Sequence, residues 1–239
     1  MRFSTLIVLI LCAHLVHGQY AFGELRISDV NQAWFLEKIG IENTALVSGK
    51  YYETKVQSKS THNFLDSRGW KKGTISLRNK VYSNVNLMYV LDEDLILTNN
   101  PRDLLLYNQP IIIEQDQVSW FEIAGRRFEN KKEFVGVPSG YYEVILKSTF
   151  FDLYVARRKM IQITSSEVIY SKKNTVVIDQ GSSISRVNNR RSLTKLFPEV
   201  AKPLKSYLVK NHMRKLDETH HNKLHEMAVY LTELLENTK

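Results

Sequence analysis

Short apolar stretches separated by turn residues follow one another from about residue 44 to residue 180. The clearest run is GTISLRNKVYSNVNLMYVLDEDLILTNN at 73–100, in which Ile75 and Leu77 alternate with polar neighbours. Successive side chains of a strand point to opposite faces of a sheet, so this period of two indicates strands. Because no long helical pattern separates the stretches, they favour antiparallel pairing over a parallel α/β sheet. We predict an antiparallel β meander, curled into a sandwich or an open barrel.

The same pattern continues to the end of this region. DLLLYNQPIII at 103–113 predicts two short strands, and VSWFEI at 118–123 predicts another. YYEVILKSTFFDLYVARRK at 141–159 predicts a hairpin, since β-forming residues lie on both sides of a polar turn near Ser148. Together these stretches define an antiparallel β domain at 44–180.

Residues 190–239 have the periodicity of helices instead. Val200, Leu204 and Leu208 lie on one face of a first helix. A second helix carries a longer apolar stripe, formed by Leu224, Met227, Ala228, Leu231, Leu234 and Leu235. Two helices that face only each other make a thin core, and an isolated hairpin of this length is marginal in water. We therefore expect a C-terminal helical hairpin that packs on the β domain, with 181–192 as the junction.

The first residues have the layout of a secretory signal peptide. Arg2 precedes an unbroken apolar run at 6–13, and Val16 and Gly18 are small enough for a cleavage site. The run is far shorter than the roughly 20 residues that a membrane-spanning helix needs. We expect residues 1–18 to be removed, which leaves no transmembrane span in the mature chain. Residues 19–43 would then form an N-terminal segment, either a short helix or an irregular cover.

The only cysteine, Cys12, lies inside this leader. A mature chain without cysteine forms no disulfides, has no thiolate nucleophile and has no cysteine-based zinc site. Secreted animal domains commonly depend on disulfides, and the sequence also has no N-x-S/T glycosylation site. These features favour export by a bacterium, to the periplasm, the outer envelope or the medium.

The chain is basic, with a formal net charge of +8. Pairs of basic residues are spread along it, as in GWKKG and GRRFENKKEF. A positive surface attracts polyanions, so the expected partners are an envelope protein, a glycan or an anionic lipid surface. We expect no nucleic acid, because no recognition helix or RNA-binding motif frames the basic pairs.

Three histidines crowd into THHNKLHE at 219–226 and raise the question of a metal site. His221 and His225 have the i, i+4 spacing that brings two imidazoles together on a helix. His220 points about 100° away from His221, and Asn222 occupies the position of a zincin glutamate. Because a structural zinc site has four ligands, we expect these histidines to be structural or incidental, with no metal and no other cofactor.

No other motif predicts a reaction. The sequence has no GxSxG elbow, no glycine-rich phosphate loop and no EF-hand spacing. A groove for a glycan or lipid could use the aromatic residues Trp70, Trp120, Tyr141, Tyr142, Phe150, Phe151 and Tyr154. Adjacent rings must lie on opposite faces of a strand, so we expect the N-terminal segment or the helical tail to cover the outer ones.

Three stretches support a family resemblance: GKYYE…THNFL…GWKKGTISLRNKVYSNVNLMYVLDEDLIL, FEIAGRRF followed by GYYEVILKSTFFDLYVARRK, and RRSLTKLFPEVAKPLKSYLVKN. In these the chain resembles a family of uncharacterised exported proteins from Bacteroidota. The resemblance implies export and a β-rich body with a helical tail. It carries over no activity and no site residues.

The sequence thus predicts an exported bacterial α+β protein, mainly β, with a non-catalytic binding or structural role at the cell envelope. The alternative is a hydrolase that acts on envelope glycan or lipid material through acidic residues that the sequence does not identify. A deep pocket where acids or histidines converge would favour the hydrolase. A filled β core with a shallow aromatic face would favour binding.

Overall fold

The computed structural model describes residues 40, 44–53, 60–99, 109–132, 134, 136–164 and 167–238. All of them belong to one compact unit, Ile39–Lys239. The expected signal peptide at 1–18 lies outside the described residues, as does the N-terminal segment at 19–43 apart from Gly40. The first of the two short strands expected at 103–113 also lies outside them.

The described part of the chain is mainly β, with helices at its C-terminal end. Its strands are β1 Lys71–Leu77, β2 Lys80–Val90, β3 Leu95–Thr98, β4 Ile111–Ile112, β5 Val118–Ile123, β6 Arg126–Lys131, β7 Gly140–Lys147, β8 Asp152–Ala156, β9 Lys159–Ile163, β10 Val168–Lys172, β11 Thr175–Asp179 and β12 Ile184–Arg186. Its α-helices are α1 Arg190–Leu196, α2 Ala201–Lys210 and α3 His221–Glu236. Short 3₁₀ turns lie at Ala45–Val47, Gln115–Gln117 and Pro198–Val200. None of the helices in this part of the chain is long and apolar enough to cross a membrane.

Ten of these strands form one antiparallel sheet in the order β12-β11-β8-β7-β6-β5-β1-β2-β3-β4, and β9 and β10 form a separate antiparallel pair. Strands that are neighbours in sequence pair throughout β1–β4 and β5–β8, and β1 joins the two groups by pairing with β5. The predicted antiparallel sheet with C-terminal helices is confirmed. No closed barrel is found among the described strands. Strand β12 lies inside the stretch 181–192 that we expected to be only a junction.

Tight turns set the register of the predicted hairpins. Arg78 and Asn79 between β1 and β2 both have positive φ angles, of 52° and 61°. Ala124 and Gly125 between β5 and β6 repeat this with 53° and 71°. Two positive φ angles in succession are typical of a type I′ turn, whose twist matches that of the two strands.

An aromatic cluster shows that the large sheet is strongly curled. Tyr89 on β2 lies 6.1 Å from Tyr141 on β7, measured between ring centroids, and 5.2 Å from Phe128 on β6. Phe121 on β5 packs between them. Strands β2 and β7 are four steps apart in the sheet, about 19 Å at the usual strand spacing if the sheet were flat. The sheet therefore wraps around these rings.

An ion pair holds the curled sheet at the same place. Arg158, after β8, binds Asp94, in the turn between β2 and β3, with 2.6 Å between Nη2 and Oδ2. Arg158 also donates to the Tyr89 hydroxyl at 2.9 Å. Gly140 packs so closely here that a Cβ atom would lie 2.0 Å from Asp94 Oδ2, and its φ is +128°. Only glycine fits this position without strain.

The helical tail packs on one face of β7, β8 and β11, as expected. The shared core contains Ile145, Leu153, Val155, Val176 and Ile178 from the strands, and Leu204, Leu208, Leu224, Met227 and Leu231 from the helices. On the opposite face, Tyr142 and Tyr154 pack with Phe134 and Val137 from the connection between β6 and β7. Phe134 and Val137 form a covering layer that the sequence did not predict.

We expect Leu231→Ala to destabilise the protein by about 2–5 kcal/mol, the usual cost of emptying a packed leucine site. Leu231 is fully buried at the centre of the core between α3 and the sheet. Glu233→Ala is the matched control, because Glu233 is exposed on the same helix and its loss should change stability by less than about 0.5 kcal/mol. Urea denaturation of both variants measures the effect. Equal stabilities would show that the tail does not contribute to the main core.

Candidate functional site

A glutamate is buried inside the core beneath the helical tail. Glu143 on β7 lies directly opposite Val155 on β8, which packs against the tail, and directly opposite residues share a face of the sheet. Its side chain is fully buried. A buried carboxylate costs several kcal/mol unless charged partners and hydrogen bonds compensate for the lost water.

Three side chains surround this carboxylate. Arg157, which follows β8, makes a hydrogen-bonded ion pair through Nε. His221, the first residue of α3, places Nδ1 2.8 Å from Glu143 Oε1. Arg126, at the start of β6, lies 3.7 Å away through Nε. The carboxylate therefore joins two places in the sheet to the beginning of α3.

These partners keep Glu143 ionised. Burial alone raises the pKa of Glu143, but the hydrogen bond with His221 and the charges of Arg157 and Arg126 outweigh it and lower the pKa below its ordinary value. Because an ionised carboxylate only accepts hydrogen bonds, Nδ1 of His221 must carry a proton. The other ring nitrogen, Nε2, is then the ring atom through which His221 can make a further contact.

A pocket of about 330 Å³ opens beside this network. Four cationic side chains line it: Arg126, Arg157, Lys159 and Lys172. The remaining lining residues are His62, Leu65, Asp66, Leu91, Asn174, Glu218, Thr219, His220 and His221. The two acids among them already have basic partners, since Asp66 pairs with Arg126 and Glu218 pairs with Lys215. Asp66 and the neighbouring Glu143 offset two of the four cations, so the pocket keeps a surplus of positive charge.

Two side chains that line the pocket have pKa values lowered by burial and by neighbouring positive charges. Lys159 Nζ donates to the carbonyl oxygens of His62 at 2.5 Å and Phe64 at 2.9 Å. Burial, and then the charge of Lys172, lower the pKa of Lys159. Burial, and then the charges of Lys159 and Arg68, lower the pKa of His62. Cations that depress one another's pKa values are stabilised when an anion binds between them.

Arg157 lines the pocket and has one nitrogen atom in an unusual environment. The residue is only 7% exposed, and its Nη2 atom has no hydrogen-bond partner among the described residues. Buried polar groups are nearly always paired, so this nitrogen, which is itself closed off from solvent, is an exception within the described part of the chain. The N-terminus of helix α3 also favours a nearby negative charge, because helix N-termini attract anions. His220, at the N-cap, makes no side-chain capping bond.

Only one of the two histidines that we considered as metal ligands lines the pocket. His221 lines the pocket and is bonded to Glu143, whereas His225 is not a lining residue. Their rings stack with centroids 6.4 Å apart. The described residues contain no group of three histidines, cysteines or acids arranged to hold a metal ion. The metal content of the protein stays a prediction.

Most of the aromatic residues considered for a groove lie inside the protein. Tyr141, Tyr142, Phe151 and Tyr154 are all buried, because the aromatic cluster, the tail and the β6–β7 connection cover them. Trp120 is half-buried, with the guanidinium of Arg127 4.0 Å from its ring centroid. These rings stabilise the fold and do not form an open aromatic face.

Sequence reasoning identified His221 but missed the residues around it. Arg157 and Lys172 were visible only as members of scattered basic pairs. Glu143 offered a usable signal, since it occupies a core-facing position between Tyr141 and Ile145 in YYEVIL. An acid at such a position indicates a buried charge with dedicated partners.

Comparison with known proteins found no match to a family model, to a curated protein or to a solved structure. The site is therefore interpreted from its own chemistry.

We expect Glu143→Gln to lower the free energy of unfolding by about 3–5 kcal/mol at neutral pH, because it leaves buried cations without their anion. The pKa of Glu143 is lowered in the folded state, so its ionic contribution is present above the ordinary value of 4.5. It is lost as the pH falls through the lower folded-state pKa. The gap between wild type and variant should therefore narrow below about pH 4.5 in urea denaturation.

Glu233→Gln is the control for this experiment, because it makes the same chemical change at an exposed position of α3. It should leave both the stability and its pH dependence unchanged. A gap for Glu143→Gln that stays constant down to about pH 3 would show that folding does not lower the pKa of this carboxyl group.

Proposed function

We propose that this protein is an exported, non-catalytic binding protein of the bacterial cell envelope that holds an anionic group in the basic pocket. The observation that carries the proposal is a pocket lined by four cationic side chains, one of which, Arg157, has a buried nitrogen without a hydrogen-bond partner among the described residues. Arginine matches phosphate and carboxylate geometry through paired N–H donors, and charge-assisted hydrogen bonds of this kind are the strong ones. The bound group is therefore a phosphate or a carboxylate.

The proposed location at the cell envelope is based on the sequence. The leader-like start at 1–18 and the confinement of Cys12 to it support export by a bacterium. The resemblance to exported proteins of Bacteroidota and the net charge of +8 fit an envelope partner with negative charge. The anionic group would belong to a lipid, a glycan or an envelope protein.

For the shape of the sheet, we propose the open barrel in preference to the sandwich. The support is that one sheet brings β2 and β7 together around the cluster of Tyr89, Phe128 and Tyr141. A sandwich would need two sheets packed face to face.

The pocket's chemistry favours binding over catalysis. The lining residues in the described part of the chain include no serine or cysteine. The Thr219 hydroxyl donates to the Lys215 carbonyl at 2.7 Å, and two carbonyl oxygens hold the Lys159 ammonium group. The hydroxyl group and the lysine amino group among the lining side chains are therefore both engaged in the fold.

We expect inorganic phosphate to raise the melting temperature of the protein, because a ligand that binds only the folded state stabilises it by mass action. Lys172→Gln removes one charge-assisted contact and should weaken phosphate binding by about tenfold. The control is Lys173→Gln, which makes the same charge change one residue away, at a side chain that does not line the pocket. Titration calorimetry gives the affinities.

Chloride at matched ionic strength separates binding from general salt effects. If phosphate and acetate stabilise the protein no more than chloride does, the pocket does not hold an anion and the proposal is wrong. Equal losses in Lys172→Gln and Lys173→Gln would also contradict it, because the attraction would then come from the surface charge as a whole.

The second candidate is a hydrolase, favoured by the pairing of His221 with Glu143. A carboxylate that accepts a hydrogen bond from Nδ1 fixes the tautomer in which Nε2 can accept a proton from water, as in general-base catalysis. Three histidines, His62, His220 and His221, line the same pocket, which is the convergence that would favour an enzyme.

We expect the protein to show no turnover of p-nitrophenyl phosphate or p-nitrophenyl acetate, measured by release of nitrophenolate. Sustained release that falls by about 10²-fold or more in His221→Asn would establish the hydrolase and overturn the non-catalytic role. His225→Asn is the control, since His225 lies one turn further along α3 and does not line the pocket.

A further inference from the structure

The two-stranded sheet beside the pocket has one face that begins at the pocket. Its register pairs Lys159 with Lys172, Ile161 with Tyr170, and Ile163 with Val168. Residues two apart in a strand share a face, and so do residues directly opposite each other. These six side chains therefore lie on one face. Lys159 and Lys172 at one end of it line the basic pocket.

This face becomes apolar and more exposed with distance from the pocket. Tyr170 is buried, Ile161 is 36% exposed, and Ile163 is 80% exposed. Met160, on the opposite face of β9, is also exposed. Single exposed hydrophobic residues are common on protein surfaces, but a contiguous group beside a charged site marks an interaction surface.

We propose that the pocket and this hairpin face together bind an anionic lipid at a membrane surface. The headgroup phosphate lies against Arg157 and the two lysines, and Ile161 and Ile163 enter the acyl region. This inference rests on the proposed function, because it needs an anion in the basic pocket. The ligand class follows from the order of side chains along this face, which is charged at the pocket and apolar at its far end.

Charge complementarity distinguishes this occupant from the others. A soluble anion would satisfy Lys159, Lys172 and Arg157 but leave the isoleucines in water. A purely apolar partner would cover Ile163 but leave the surplus positive charge of the pocket without an anion. An anionic lipid has its charge and its apolar chain joined in the same order as this surface, and cationic residues beside an interfacial apolar segment are attracted to anionic leaflets.

The test is flotation with vesicles, using protein purified from cells that express the full chain, after its N-terminus has been determined. Vesicles of phosphatidylcholine alone are compared with vesicles that also contain phosphatidic acid. Wild-type protein should float with the anionic vesicles and not with the neutral ones. Ile163→Gln should weaken this binding by about tenfold, the effect of keeping one isoleucine out of an apolar environment.

Val81→Gln is the matched control, because Val81 is also an exposed β-branched residue but lies on β2 of the large sheet. It should bind vesicles as wild type does. Lys172→Gln should weaken vesicle binding as it weakens phosphate binding. Ile163→Gln should retain the full stabilisation by inorganic phosphate, since it leaves the pocket intact.

The outcomes separate this inference from the proposed function. Stabilisation by phosphate without vesicle binding overturns the lipid inference and leaves the proposed function in place. Equal binding to neutral vesicles, or binding that Ile163→Gln does not reduce, overturns it as well. Sedimentation experiments test whether a second copy of the chain covers this face. A wild-type dimer that is dissociated by Ile163→Gln would show that it does, and would overturn the lipid inference. Failure of both phosphate and anionic vesicles overturns the proposed function itself.

Discussion

The ionised side chain of Glu143 places the strictest demand on this structure, because a carboxylate with no exposure to water must be compensated by protein groups. Its partners come from three parts of the chain: Arg126 at β6, Arg157 after β8 and His221 at the start of α3. The apolar core beneath the tail supplies non-directional stabilisation. The ionic contacts are directional, and we infer that they fix the position of α3 on the sheet.

The basic pocket is a consequence of the same network. The carboxylates of Glu143 and Asp66 offset two of the four cations Arg126, Arg157, Lys159 and Lys172, so positive charge remains where the sheet, the β9–β10 pair and α3 meet. Such a surplus destabilises the unliganded protein and is relieved by an anion. Stability and the proposed anion binding would therefore depend on the same side chains. This explains why the proposed site lies at the junction of three elements and not on a separate loop.

The individual elements were largely predictable, because local sequence decides them. The alternation around Ile75 and the polar turn at Arg78–Asn79 give the β1–β2 hairpin, and the stripe through Leu231 gives α3. The curl of the sheet was not predictable, since it depends on Tyr89 meeting Tyr141 across four strand positions. The cover supplied by Phe134 was missed for the same reason, because irregular segments have no periodicity to read.

By itself, the sequence determined most of the strands, the main helices and the apolar faces that must be buried, since these follow from periods of two and about 3.6 residues within short windows. It also singled out His221, although for a metal and not for a carboxylate. Only the tertiary structure decided the site. Glu143 and His221 are 78 positions apart, and their 2.8 Å contact requires the tail to be docked on the sheet. Contacts between residues so distant in sequence depend on how whole elements pack, and no local pattern encodes that arrangement.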